Sequence, residues 1–209
     1  MQLECFRAGH VDGDELASLL ATGWRCFGPT YFRPACPDCR ACIPLRIPVA
    51  GFAPTRSQRR IWRRNAQTKL SVGPLRYSDE VYDIYRDHSL SRFGKRTDPD
   101  EFRSSFYQPS CPSLQSEYRI SGELAAVGFL GVASNAFSSV YFVFRERYKR
   151  YGLGVLRVMA ECACTAAAGL TYYYLGYWIG QSAHMRYKSQ FGPHERYDWE
   201  RRAWRPGEP

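Results

Sequence analysis

The stretch that decides the fold runs Ser138-Ser139-Val140-Tyr141-Phe142-Val143-Phe144, through a basic connection from Arg145 to Tyr151 and Gly152-Leu153-Gly154, to Thr171-Tyr172-Tyr173-Tyr174-Leu175-Gly176-Tyr177. Its opening is β-branched and aromatic with no breaker, which predicts a buried strand. From Leu153, apolar residues recur at Leu156, Met159, Ala160, Ala163 and Ala167. That spacing predicts a helix, and Gly169 ends it as a glycine C-cap. Thr171 to Tyr177 predicts a second strand, splayed at its outward end by Gly180 and followed by a short turn of helix reaching Tyr187. A strand that feeds a glycine turn and then a helix points backbone N–H groups above the sheet, where an anionic or ester group can be held.

Working outward, Glu117 to Ile120, Ser121-Gly122-Glu123 and Leu124 to Val132 read as a β-hairpin, with Asn135 marking the next turn. The order is therefore an antiparallel meander, then helix, then strand: an α+β chain. Asp98-Pro99-Asp100-Glu101 is a helix start, with Phe102 and Phe106 as its apolar face. Ser78-Asp79-Glu80 starts another, with Val81, Ile84, Tyr85 and His88 on one side, His88 reading as packed or surface. His10 to Trp24 holds one helix, capped by Asp12 or Asp14 and stopped by Gly23. Pro44 to Val49 reads as a short edge strand with prolines at both ends.

At 209 residues, one domain or one domain plus a small module is expected, with a boundary placed between 1–65 and 66–209. No apolar run is long enough to span a bilayer, and Met1 leads into Gln-Leu-Glu-Cys without a signal-peptide pattern. A cytoplasmic chain is the expectation, and its eight cysteines then read as thiols or metal ligands rather than disulfides. Cys36, Cys39 and Cys42 follow a C-x2-C-x2-C spacing that could share one ion, with Cys5 or Cys26 as a fourth ligand. A zinc ion, an iron–sulfur cluster and a plain cluster of reduced thiols all stay open.

The net charge of +9 points to a polyanionic partner or an acidic substrate. Its densest expression is Arg56-Ser57-Gln58-Arg59-Arg60-Ile61-Trp62-Arg63-Arg64-Asn65. On a helix, Arg56, Arg59, Arg60, Arg63 and Arg64 form one guanidinium face. A solvated face normally mixes both signs, and this one does not. Guanidinium forks match phosphate oxygens, so a nucleic-acid backbone contact is the better reading.

Tyr31-Phe32-Arg33-Pro34-x-Cys36-x-x-Cys39-x-Ala41-Cys42-Ile43-Pro44-Leu45-Arg46-Ile47-Pro48-Val49, with Phe52-x-Pro54-x-Arg56-Ser57-Gln58-Arg59-Arg60-x-x-x-Arg64-Asn65, closely resembles the aminoacyl-tRNA–protein transferases. Ser138 to Phe142, Tyr174 to Ile179 and Met185-x-Tyr187-Lys188 repeat that family's later motifs in order, over nearly the whole chain. The bacterial leucyl-transfer branch, related to the arginyl-transferases, is the nearer match. The resemblance implies a GNAT-like acyltransferase domain with a mostly antiparallel sheet and a small Cys-containing N-terminal module. It implies transfer of an amino acid, leucine from the branch with arginine open, from aminoacyl-tRNA to proteins with N-terminal Asp or Glu, marking them for degradation. Lys149-x-x-Gly152-x-Gly154 also resembles the loop that binds pyrophosphate in that fold, with Lys149 where Arg or Gln is usual.

On that resemblance, Tyr141, Tyr187 and Lys188 are the expected catalytic residues, and Arg46, Trp178 and Arg186 the expected substrate-binding ones. Arg186 or Lys188 would pair with the acceptor's carboxylate, or Lys188 with the terminal phosphates of tRNA. Arg56, Gln58, Arg59, Arg60, Arg63 and Arg64 would hold the tRNA. No cofactor is required for transfer, and a monomer is expected. An aminoacyl ester is already activated and an α-amine titrates near pH 8, so alignment and oxyanion stabilisation suffice without a catalytic triad. A coenzyme A-dependent GNAT acetyltransferase is the rival reading, and a non-enzymatic RNA-binding module the third.

Overall fold

The computed structural model describes residues 2–207. Three short strands, β1 (Leu3–Arg7), β2 (Arg25–Phe27) and β3 (Thr30–Pro34), form a small antiparallel sheet in the order β1-β3-β2. Helix α1 (Gly13–Ala21) lies between β1 and β2 in the chain. Asp12 caps it, accepting the Asp14 and Glu15 N–H groups, while Glu15 reaches back to the Asp12 N–H. Strand β4 (Ile43–Pro48), helix α2 (Arg56–Arg64), strand β5 (Lys69–Pro74), helix α3 (Asp79–Phe93) and helix α4 (Pro99–Phe106) follow. Then come the meander β6 (Ser113–Ile120), β7 (Glu123–Ala133) and β8 (Ala136–Phe144), helix α5 (Leu153–Ala167), β9 (Tyr172–Trp178), β10 (Glu195–Asp198) and β11 (Ala203–Pro206).

The main sheet has eight strands in the order β11-β10-β4-β9-β8-β7-β6-β5. Every pairing is antiparallel except β8 with β9. That parallel pair holds only at Ala136↔Tyr172, Phe137↔Tyr173 and Ser138↔Tyr174, after which the strands part. A meander, a helix and a parallel strand that diverges from the meander make the expected α+β domain.

Helices α2 and α5 cover one face of this sheet. The core there joins Val158, Met159 and Cys162 of α5 to Phe137, Tyr173, Leu175 and Ile47. The other face is covered by α1 with the small sheet, around Leu16, Tyr31, Ala136 and Tyr174, and by α3 with α4, around Ile84, Phe102 and Phe129. The helix starts at Ser78 and Asp98 stand as expected, each side chain accepting N–H groups of the first turn.

Two expectations change. β4 is not an edge strand: it is bonded to β9 along its length and to β10 at Leu45 and Arg46. A bulge between Leu45 and Arg46 and the brevity of the β10 pairing leave Pro44 and Pro48 outside the second ladder, so two prolines fit an interior strand. β4 also lies inside the 1–65 segment, so that segment contributes a strand to the main sheet rather than standing apart as a Cys-containing module.

Candidate active site

The opening between β8 and β9 is filled by side chains from three directions. Arg25 of β2 enters from the small-sheet side, and its Nη2 donates to the Ser139 carbonyl. Arg157 of α5 enters from the helix side, and its Nη1 donates to the Ser139 hydroxyl. Lys188, on the one-turn 3-10 helix Arg186–Gln190, enters beyond β9, its Nζ donating to the Tyr177 carbonyl at 2.8 Å. Gly176 lets it in. With φ at +95°, its missing Cβ would lie 3.2 Å from the Lys188 Nζ and 3.7 Å from the Arg25 Nη2.

Three cations thus meet, Arg25 and Arg157 buried and Lys188 half-buried. Among the described residues their one close carboxylate is Glu161, 3.8 Å from Arg157 and itself held by the hydroxyls of Ser116 (2.9 Å), Tyr118 (3.4 Å) and Tyr173 (2.5 Å). Burial, then the charges of Arg157 and Arg25, bring the Lys188 ammonium down to about 7. Burial also lowers Arg25. Among the described residues, four buried side-chain polar atoms have no hydrogen-bond partner: Arg25 Nη1, Arg157 Nε, Ser138 Oγ and Trp178 Nε1. All four belong to residues on or against the diverging strands. Uncompensated buried donors are costly, and donors concentrated in one opening fit an oxygen-rich anionic or ester ligand.

Tyr187 flanks this opening, edge-on to Phe191 and close enough to Arg157 to influence its charge. Trp178 closes its far end under the Arg196 guanidinium, 4.4 Å from the ring. Tyr141 is not with them. It lies on the opposite face of the sheet, edge-on to Phe106 (5.4 Å) and Phe27 (6.2 Å), where burial raises its hydroxyl. Arg186 is exposed at the surface. Arg46 is level with the closed part of β8 and β9, and its charge is already matched: Nε to Glu195 at 2.6 Å, Nη1 to Tyr174 at 3.1 Å, with Tyr172 and Trp204 above and below. It ties β4 to β9 and β10 through these contacts.

The sequence reading missed Arg25 and Arg157. A usable signal existed, because Arg157 and Glu161 are a lone i, i+4 charge pair inside an otherwise apolar helix.

Helix α2 forms as expected, with Thr55 and Gln58 as a reciprocal capping box. Its five arginines are exposed. Gln58 differs: it is 4% exposed, its Oε1 accepting the Thr55 N–H and its Nε2 donating to the Gln190 carbonyl. Its amide is spent on anchoring α2 to the Lys188 turn, so it does not face a ligand. At the other end, Arg64 donates to the Arg150 carbonyl (2.7 Å), Asn65 donates to that of Tyr151 (2.8 Å), and Ile61 covers Gly152. The glycine loop is thus packed under α2.

The metal expectation is not supported. Among the described residues, no group of three or more His, Cys, Asp or Glu side chains is arranged to hold a metal ion. Cys5 lies on β1 opposite Phe32, and Cys36 Sγ takes the Gln2 N–H at 3.2 Å. Burial and the nearby Cys39 and Cys36 sulfurs push the Cys42 thiol up.

Residues 3–60 match the family described as "Arginine-tRNA-protein transferase, N terminus", and residues 80–198 the corresponding "C terminus". An aspartate/glutamate leucyltransferase from Methylobacillus flagellatus is 33% identical over 189 residues, spanning 88% of this chain and 76% of that protein. Those from Pseudomonas paraeruginosa and Halorhodospira halophila are each 37% identical, spanning 88% and 91% of this chain and 80% and 82% of theirs. Among solved structures, L-PGS from Bacillus licheniformis has a TM-score of 0.53 at 13% identity, over 81% of this chain and 54% of that one. FemX has a TM-score of 0.53 at 10% identity, over 80% and 60%. These two share the fold alone.

Proposed function

This chain belongs to the arginine-tRNA-protein transferase family, and on that footing we propose that it moves leucine from leucyl-tRNA to the α-amine of proteins beginning with Asp or Glu, in the opening between β8 and β9. The acceptor amine attacks the ester carbonyl carbon, a C–N bond forms, the C–O bond to the ribose breaks, and the proton lost from the amine ends on the departing ribose oxygen as its hydroxyl. The rival coenzyme A reading is not favoured by the relatives, which are named leucyltransferases.

The observation that carries the site is the surplus of buried positive charge with unmet donors, Arg25 Nη1 and Arg157 Nε. An acidic side chain entering there gains charge-assisted hydrogen bonds, each worth about 1.5–3 kcal/mol. An Asn or Gln N-terminus would leave a buried cation unneutralised, which is how such a site rejects neutral analogues. Lys188, beside both guanidiniums, is the third member of this acid pocket. In this reading Tyr187 and the Trp178 N–H donate to the ester or its oxyanion, which the unpartnered Trp178 Nε1 supports. The exposed arginines of α2 grip the tRNA backbone.

Incubation with leucyl-tRNA, arginyl-tRNA and acetyl-coenzyme A in parallel, each with an Asp-initiated and an Asn-initiated peptide, tests this reading. Leucine on the Asp peptide alone is expected. Arginine transfer would correct the donor, whereas acetyl transfer without RNA would overturn the reading.

A further inference from the structure

A groove of about 430 Å³ runs between α2 and α5, on the outer side of the helix layer and away from the opening in the sheet. Arg59, Trp62 and Arg63 form one wall, Met159, Cys162, Ala163 and Ala166 the floor, and Val49, Phe52 and Pro54 close an end. The floor residues share one helix face, and alanines at 163 and 166 leave the depth. Trp62 is 48% exposed on a helix in which five of the other eight residues are arginines. No carboxylate lines the groove, while two guanidiniums do.

Flat apolar walls with cations on the rim and no anion suit a ligand that is flat, apolar and tied to negative charge. We infer that this groove holds one unpaired base from the single-stranded 3′ end of the donor tRNA, stacked on Trp62 over Ala163 and Ala166, with Arg59 and Arg63 on its neighbouring phosphates. Base–aromatic stacking beside basic residues is the general means of holding single-stranded nucleic acid. Continuity favours RNA over a lipid or peptide, because the same turns of α2 that wall the groove carry Arg56, Arg60 and Arg64. The inference rests on the tRNA-dependent reading above.

Affinities of intact tRNA and of the same tRNA without its unpaired 3′ nucleotides, measured on the wild type, Trp62→Ala and Ala163→Trp, provide the test. Ala163 is exposed, so the larger side chain fills the groove without entering the core. Truncation should weaken the wild type roughly 10-fold or more, the scale of one lost stack. Each variant should bind intact tRNA roughly 10-fold more weakly than the wild type, and truncation should cost it less than it costs the wild type by about that factor, since only the opening is left to hold the 3′ end. Variants that bind intact tRNA like the wild type, or that lose equally toward both RNAs, overturn the groove assignment while leaving leucyl transfer standing. A wild type that binds neither RNA overturns both.

Discussion

Arg25 and Arg157 converge on a single residue of β8, the first on the carbonyl of Ser139 and the second on its hydroxyl. One guanidinium comes from the small N-terminal sheet and the other from the helix behind the main sheet. Like charges are held together here by the strand between them. Removing the fork geometry of either should therefore damage acceptor recognition before it damages tRNA binding. Arg25→Lys keeps the charge but shortens and narrows the donor set. The expected result is a fall of roughly 10- to 100-fold in kcat/KM for an Asp-initiated peptide, with the leucyl-tRNA KM unchanged. Steady-state kinetics with each substrate varied in turn would check this.

Lys188 gives the reaction a pH signature. The acid pocket needs its ammonium, which is lost as pH rises through about 7. The acceptor needs a neutral amine, which accumulates toward about pH 8. The kcat/KM profile for Asp peptides should be bell-shaped, with its maximum between those values. Lys188→Met should lose the falling limb, and its preference for Asp over Asn should shrink by about 10-fold or more.

Stability should move in a linked direction. In the folded chain Lys188 lies near 7, below its ordinary 10.5. Between those values the unfolded chain holds a proton that the folded chain lacks, so the wild type gains stability as pH climbs through this window and bears the full cost of the buried charge below it. Lys188→Met should therefore raise Tm more at pH 6 than at pH 9, by calorimetry in matched buffers.

Gly176→Ala would place a Cβ 3.2 Å from the Lys188 Nζ on a backbone at φ +95°. The strain of about 1–3 kcal/mol should lower Tm by roughly 2–10 °C. Displacement of the ammonium should weaken Asp preference in the same variant.

The α2 arginines act in a different currency. Arg56→Gln with Arg60→Gln alters two exposed side chains outside the groove. Binding should weaken for all tRNAs alike, and the slope of log affinity against log salt should flatten by about 1.5–2. Filter binding across a salt series reads this directly.

The organising unit was legible because Ser138–Phe144 is an unbroken β-branched and aromatic run and the apolar spacing from Leu153 is helical, as found in β8 and α5. Helix starts at Asp12, Ser78 and Asp98 were legible for a local reason, since each cap is decided within four residues. What could not be read is what depends on distant pairing. Pro44 and Pro48 locally say edge, and only the late arrival of β10 makes β4 interior. Arg25 and Arg157 carry no local pattern of their own, because their meaning comes from Ser139, 114 and 18 residues away. Tyr141, by contrast, was placed on the right strand but on the face turned from Arg157, a distinction the bulge between Phe129 and Leu130 decides.

The pairing of Arg46 with Glu195 spans 149 residues. A ribosome must have released almost everything described here before that strand finds its outer neighbour, and contacts so far apart in the chain form late and slowly. Until then the partly made sheet carries a bare, apolar margin beside β4, so the nascent protein is most vulnerable to sticking to its own kind before β10 has emerged.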